Sequence, residues 1–146
     1  TEQALIVEDY NYIFVSHMGI DLDTNSGGKT TYAGYGDKLR DIMEAYHNKT
    51  VYADDDITAD FTSYSGKILS YQFGHIHVEL THYSEDIDLW QIASDSANVY
   101  QTKTKEAPRV YMTNSEAAFD IMSVSSEAVH KMNVGAGQTN KFYYSD

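Results

Sequence analysis

At 146 residues the chain has the length of one ordinary domain, and its 42 % hydrophobic and 22 % charged residues exclude wholesale disorder. Ten basic against twenty-two acidic side chains leave a formal net charge of −12, which repels a polyphosphate backbone and excludes extended nucleic acid as a ligand. The lack of cysteine excludes disulfides and thiolate metal sites, and no apolar run is long enough to span a bilayer.

Thirteen tyrosines, with many Thr and Val residues, favour strands over helices and predict a β-rich mixed α/β fold in one domain over residues 1–146. Thr1 to Ala4 show no basic region leading into an apolar one, so any export signal is expected to have been removed or to lie upstream. The expectation is a soluble protein, with cytoplasmic, secreted and virion-associated locations all open.

In chain order, Glu2 to Glu8 reads as the tail of a helix and Tyr12-Ile13-Phe14-Val15 as a buried strand, with His17 just past its end. Asp21 to Gly36 has no periodicity and reads as a long loop, the kind that carries function beside strand ends. Two motifs inside it are decoys. Asp21-Leu22-Asp23-Thr24-Asn25 starts like an EF-hand but has Ser26 at the glycine position, and Gly28-Lys29-Thr30 ends like a P-loop with no helical pattern behind it.

Asp37 is placed to cap a helix whose apolar face is Leu39, Ile42, Met43 and Tyr46, with His47 and Lys49 at its end and Asn48 closing it. His47 lies off the apolar stripe and reads as a surface residue. Thr50-Val51-Tyr52, a turn at Asp54-Asp55-Asp56, and Ile57 to Phe61 form a predicted hairpin. Ile68 to Phe73 is the next strand, and it delivers the chain into Gly74-His75-Ile76-His77.

Further strands are predicted at Trp90 to Ala93, Val110 to Thr113, Phe119 to Val124, Ala128 to Val134 and Phe142 to Tyr144, with Ser125-Ser126 as a turn. Asn98 to Glu106 is a polar loop, and neither an internal repeat nor a low-complexity tract is found.

Two histidines one residue apart in extended chain present their rings to the same side, where they can converge on one ion or on two neighbouring ions. Neutral imidazole suits Zn, Mn, Fe or Ni, and the glycine before the pair lets backbone turn sharply or approach a ligand closely. Two exposed strand histidines would give the same text. His17 follows a different strand directly, so a third imidazole sits at a strand's carboxyl end, where α/β folds place their ligands; bonding to a loop carbonyl is the competing role. His82 and His130 have no partner spacing and read as surface residues.

Ser16-His17 after a strand, Gly74-His75-Ile76-His77, and the Gly135-Ala136-Gly137 turn before Phe142-Tyr143-Tyr144 together resemble the C-terminal half of calcineurin-like metallophosphoesterases of the Gram-positive bacterial or phage type. Asp60-Phe61-Thr62 leading through Gly66-Lys67, and Ser115-Glu116-Ala117-Ala118-Phe119-Asp120, extend the resemblance over nearly the whole chain. It implies half of a β-sandwich flanked by helices, and a dinuclear centre in which His17 and His75 bind one metal and His77 the other. The resemblance also implies an N-terminal half bearing Asp-x-His, Gly-Asp and Gly-Asn-His elements; neither Asp-x-His nor Gly-Asn-His occurs in this sequence.

Three neutral imidazoles do not offset two close divalent cations, so at most one ion is expected here and the chain alone is expected to be inactive. The complete protein is expected to hydrolyse a small phosphate ester with two divalent metals, this part supplying histidine ligands. Glu79 shares a strand face with His77 and is placed to accept from its ring; Tyr32 and Tyr35 are candidates for a substrate rim, and Lys141 stands where the family often has an arginine. The expected partners are the substrate, the N-terminal half, and a second copy through an uncovered sheet face. A reading from another class is a non-catalytic surface or phage module that keeps the fold.

Overall fold

The computed structural model describes residues 10–20, 36–74, 79–94, 110–114 and 116–144. The helix expected at Glu2 to Glu8, the loop residues 21–35 with their two decoy motifs, and the polar stretch Asn98 to Glu106 lie outside them.

Nine strands and one α-helix follow one another among the described residues: β1 (Tyr12–Val15), α1 (Gly36–His47), β2 (Val51–Ala53), β3 (Thr58–Asp60), β4 (Ile68–Phe73), β5 (Leu80–Ser84), β6 (Leu89–Ala93), β7 (Ala118–Val124), β8 (Ala128–Gly135) and β9 (Asn140–Tyr143). The mixed, mainly β composition expected from the tyrosine load is what forms. A four-stranded sheet has the order β1-β4-β6-β5, β7-β8-β9 make a three-stranded sheet, and β2-β3 is a separate hairpin. β1, β4 and β6 are parallel neighbours, with β5 antiparallel at the edge.

Helix α1 covers one side of the four-stranded sheet. Its Met43 packs with Tyr71 and Phe73 of β4, Leu89 and Ala93 of β6, and Ile20, while Leu39 and Phe14 close the margin. Burial of each large side chain in this group is worth about 1.5–3 kcal/mol, which fixes the helix against the sheet far more firmly than its own propensity. Ile42, Ala45 and Tyr46 face a second cluster with Tyr52, Ala59 and Phe61 from the hairpin. Here the tyrosines pack as aromatic hydrocarbon: Tyr46 meets Phe61 edge-on at 5.3 Å and Tyr12 at 5.9 Å between ring centroids. Across the other side of the sheet, Trp90 and Ile92 of β6 pack on Met122, Val129 and Phe142, joining the three-stranded sheet to it.

The hairpin forms where expected. The Asp54 carboxylate accepts the backbone N–H groups of Asp56 and Ile57, both at 2.8 Å, so the first of the three aspartates builds the turn. Lys38 pairs with it at 2.8 Å and, by that hydrogen bond first and the turn N–H groups next, holds its carboxyl well below the usual carboxylate range.

Several boundaries differ from expectation. Asp37 is inside the first turn of α1, not before it, because the helix starts at Gly36. The helix is closed by Lys49, not Asn48: Lys49 adopts φ 54°, its N–H donates to Tyr46 at 3.3 Å, and Thr50 N–H donates to Ala45 at 2.9 Å, the paired bonds of a Schellman end. Val110 to Thr113 is a turn instead of a strand, closed by Thr113 N–H donating to Val110 at 3.2 Å with Met112 at φ 59°. Strand β5 was not expected at all. Among the described residues, no helix is long and apolar enough to cross a membrane.

Candidate metal centre

Because β1 and β4 run parallel and adjacent, their carboxyl ends leave the sheet side by side. The pairing continues beyond both strands: Ser16 N–H donates to Gln72 at 2.9 Å, and Gly74 N–H donates to the His17 carbonyl at 3.2 Å. His17, on an exposed position, is therefore bonded through its backbone to the residue that precedes His75 in sequence. The next parallel strand ends at the same edge, with Ser94 N–H donating to Phe73 at 3.3 Å.

The segment carrying His17 is held from below. Tyr71 on β4 donates its hydroxyl toward Ser16 Oγ at 2.7 Å and lies 3.1 Å from the Met18 carbonyl, while Met18 N–H donates to Ser16 Oγ at 3.2 Å. Two residues on, Ile20 N–H donates to the Gln91 side chain at 3.2 Å, and Gln91, fully buried on β6, donates to Ser84 Oγ at 2.8 Å. These bonds fix the backbone on either side of His17.

Gly74 does not have a left-handed φ, and a Cβ built there would meet no described atom within 4 Å.

On the far side of the histidine pair, Glu79 is pinned. Its carboxylate accepts from Lys131 Nζ and from the Gln138 N–H at 3.0 Å to Oε2. Lys131, on β8, has no exposed side-chain surface, and its ammonium also lies 3.8 Å from Asp120 of β7. Asp120 in turn accepts from Ser94 Oγ at 2.6 Å and from Asn133 Nδ2 at 3.0 Å. One buried cation thus ties together the start of β5, the end of β6 and two strands of the second sheet. Sequence reading placed Glu79 beside His77 as an acceptor for its ring; His77 lies outside the described residues, and the described donors to that carboxylate are Lys131 and Gln138. Sequence reading assigned no role to Lys131, Asp120, Asn133 or Ser94. The available signal was a lysine among inward-facing residues of a strand, with Asp120 and Asn133 directly opposite each other once β7 and β8 are paired.

The glycine turn after β8 is part of the same construction. Gly135 has φ 99°, and a Cβ there would run into the Ala117 carbonyl. Ala136 N–H donates to that carbonyl at 3.1 Å, and the turn then presents the Gln138 N–H to Glu79.

Of the other sequence candidates, Lys141 is on the outer side of β9, its ammonium 4.5 Å from the Tyr143 ring centroid, whereas its neighbour Phe142 faces the four-stranded sheet. His82, half-buried on β5, stands opposite Gln91, and His130 on β8 stands between Ser123 and Lys141. His75, His77, Tyr32 and Tyr35 lie outside the described residues. Among the described residues, no group of three or more His, Asp or Glu side chains is arranged to hold a metal ion.

No protein-family model matches the chain, and none of the curated proteins compared with it is significantly similar.

Proposed function

We propose that this chain supplies the imidazole side of a two-metal phosphoester hydrolase centre, with His17 and His75 on one divalent ion and His77 on the other. The observation that carries the reading is the bond from Gly74 N–H to the His17 carbonyl, which makes two histidine-bearing strand ends neighbours at one sheet edge. Neutral imidazoles suit Mn, Zn, Fe or Ni, and His17 is exposed where such an ion would approach. When bound, paired ions supply an activated water and neutralise phosphate oxygens. The chain's own contribution is to fix the two segments: Tyr71 and Gln91 hold the first, and Lys131, through Glu79, anchors the chain two residues beyond His77.

Three imidazoles hold at most one ion firmly, so the carboxylates of a complete centre would come from an N-terminal half of the protein, and this chain alone would not turn over. The fold, on this reading, is half of a metallophosphoesterase-type sandwich. Its substrate would be a small phosphate ester.

Titration with Mn²⁺ or Zn²⁺ tests the reading through the histidine ring resonances. Coordinated changes at His17, His75 and His77, abolished by His17→Ala, are expected. Resonances of all three that stay unchanged at millimolar metal would overturn it.

A second reading has its own support. Phe119, Ile121, Met132 and Val134 form one exposed apolar face on β7 and β8, paired Phe119 to Val134 and Ile121 to Met132. A non-catalytic interaction module, as a surface or phage component, would use such a face, whether for the N-terminal half or for a second copy.

A further inference from the structure

The opposite edge of the parallel sheet carries a different feature. Where α1 ends and β4 and β6 begin, a cleft of about 270 Å³ opens, lined by His47, Lys49, Lys67, Trp90, Tyr143 and Tyr144 among others. A neighbouring hollow of about 500 Å³ shares Lys67, Tyr143 and Tyr144 with it. Strand β4, six residues long, separates this edge from the histidine edge by about 20 Å. The two places do not share a residue.

Three observations give the cleft its chemistry. First, it concentrates cations in a chain of formal net charge −12: Lys49 and Lys67 are close enough that Lys67, after burial, helps push the Lys49 ammonium below its ordinary range. The acid on the same wall, Asp88, has its carboxylate engaged by the Tyr83 hydroxyl. Glu127 lines only the neighbouring hollow. Second, the Tyr144 hydroxyl is buried with no hydrogen-bond partner in the described structure, and burial raises its pKa, so it stays a proton donor. A buried hydroxyl in that condition is costly unless something fills its place. Third, aromatic side chains are among the lining residues, Trp90 and Tyr143 beside the charges.

We propose that this cleft binds a ring-bearing organic anion, a phosphate or carboxylate on an aromatic ring, with the ring against Trp90 and Tyr143 and the anion between Lys49 and Lys67. A cavity of 270 Å³ admits one ring and its anionic group and little more. The site is independent of the metal reading.

Trp90 is the chain's single tryptophan, so its fluorescence reports the cleft directly. Phenyl phosphate and benzoate are expected to change that emission saturably, with affinity falling as salt rises, and the stronger of the two identifies the anion. Lys67→Ala, at an exposed position that the fold tolerates, is expected to weaken binding roughly tenfold, as loss of a charged hydrogen bond does. His17→Ala is expected to leave it unchanged. The proposal is overturned if neither anion gives a saturable response, if neutral phenyl glucoside binds as tightly as phenyl phosphate, or if Lys67→Ala binds as the parent does.

Discussion

Lys131 is the residue whose removal should be felt most. Its ammonium sits without solvent exposure between Glu79 and Asp120. Replacing it with Met keeps most of the volume but leaves two carboxylates in the interior without their cation, a change that costs about 3–5 kcal/mol in buried ion pairs. Urea unfolding of Lys131→Met should show a loss of that order. A loss below about 1 kcal/mol would mean that water, and not the lysine, satisfies those carboxylates. Tyr46 gives a second test, through pH. Burial first, then Tyr12 and Tyr64, pushes its hydroxyl up to about 12 from 10.0. The folded state therefore keeps a proton that the unfolded chain loses, so this contribution is intact below pH 10 and is lost as pH rises from 10 to 12. Alkaline unfolding monitored by circular dichroism should steepen in that window. In Tyr46→Phe the component should vanish; if the alkaline slope persists unchanged, other tyrosines carry it.

At the scale of elements, the turn after β8 joins local backbone geometry to the site. Gly135→Ala places a side chain at φ 99° and against the Ala117 carbonyl, so a destabilisation of about 2–4 kcal/mol is expected from combined strain and collision. On the proposed metal reading, affinity for the ion should fall as well, because the displaced turn no longer offers its N–H to Glu79. Calorimetric unfolding and a metal titration of the same variant check the two halves; full stability in Gly135→Ala would show that the turn relaxes freely. How far such elements could be read from sequence depended on how local their causes are. The β2-β3 hairpin was legible because Asp54 builds its own turn, and α1 because its apolar residues recur at helical spacing. β5 was not, since Leu80-Thr81-His82-Tyr83-Ser84 is an edge strand whose order comes from pairing with β6. Val110 to Thr113 has the composition of a strand but no strand partner among the described residues, and it turns instead. His17 was legible as a strand-end residue. The Lys131 network was not, because it exists only after both sheets are paired and packed.

For the whole molecule, charge and apolar surface act against each other. Phe119, Ile121, Met132 and Val134 are 38–54 % exposed on one sheet face, with β7 at the sheet's edge, which favours association of two copies face to face. A net charge of −12 on each copy opposes it. Which effect wins depends on screening, since the distance over which the charges act falls from about 30 Å in 0.01 M salt to about 3 Å in 1 M. Sedimentation velocity on the isolated chain should therefore show a monomer at low salt and a growing average mass as salt and protein concentration rise. Ile121→Lys puts a charge in the middle of the face and should keep the chain monomeric at high salt, while changing stability by no more than about 0.5 kcal/mol because the position is exposed in the monomer. If the parent stays monomeric throughout, the face is not self-complementary. If Ile121→Lys associates as strongly as the parent, the contact lies elsewhere on the surface.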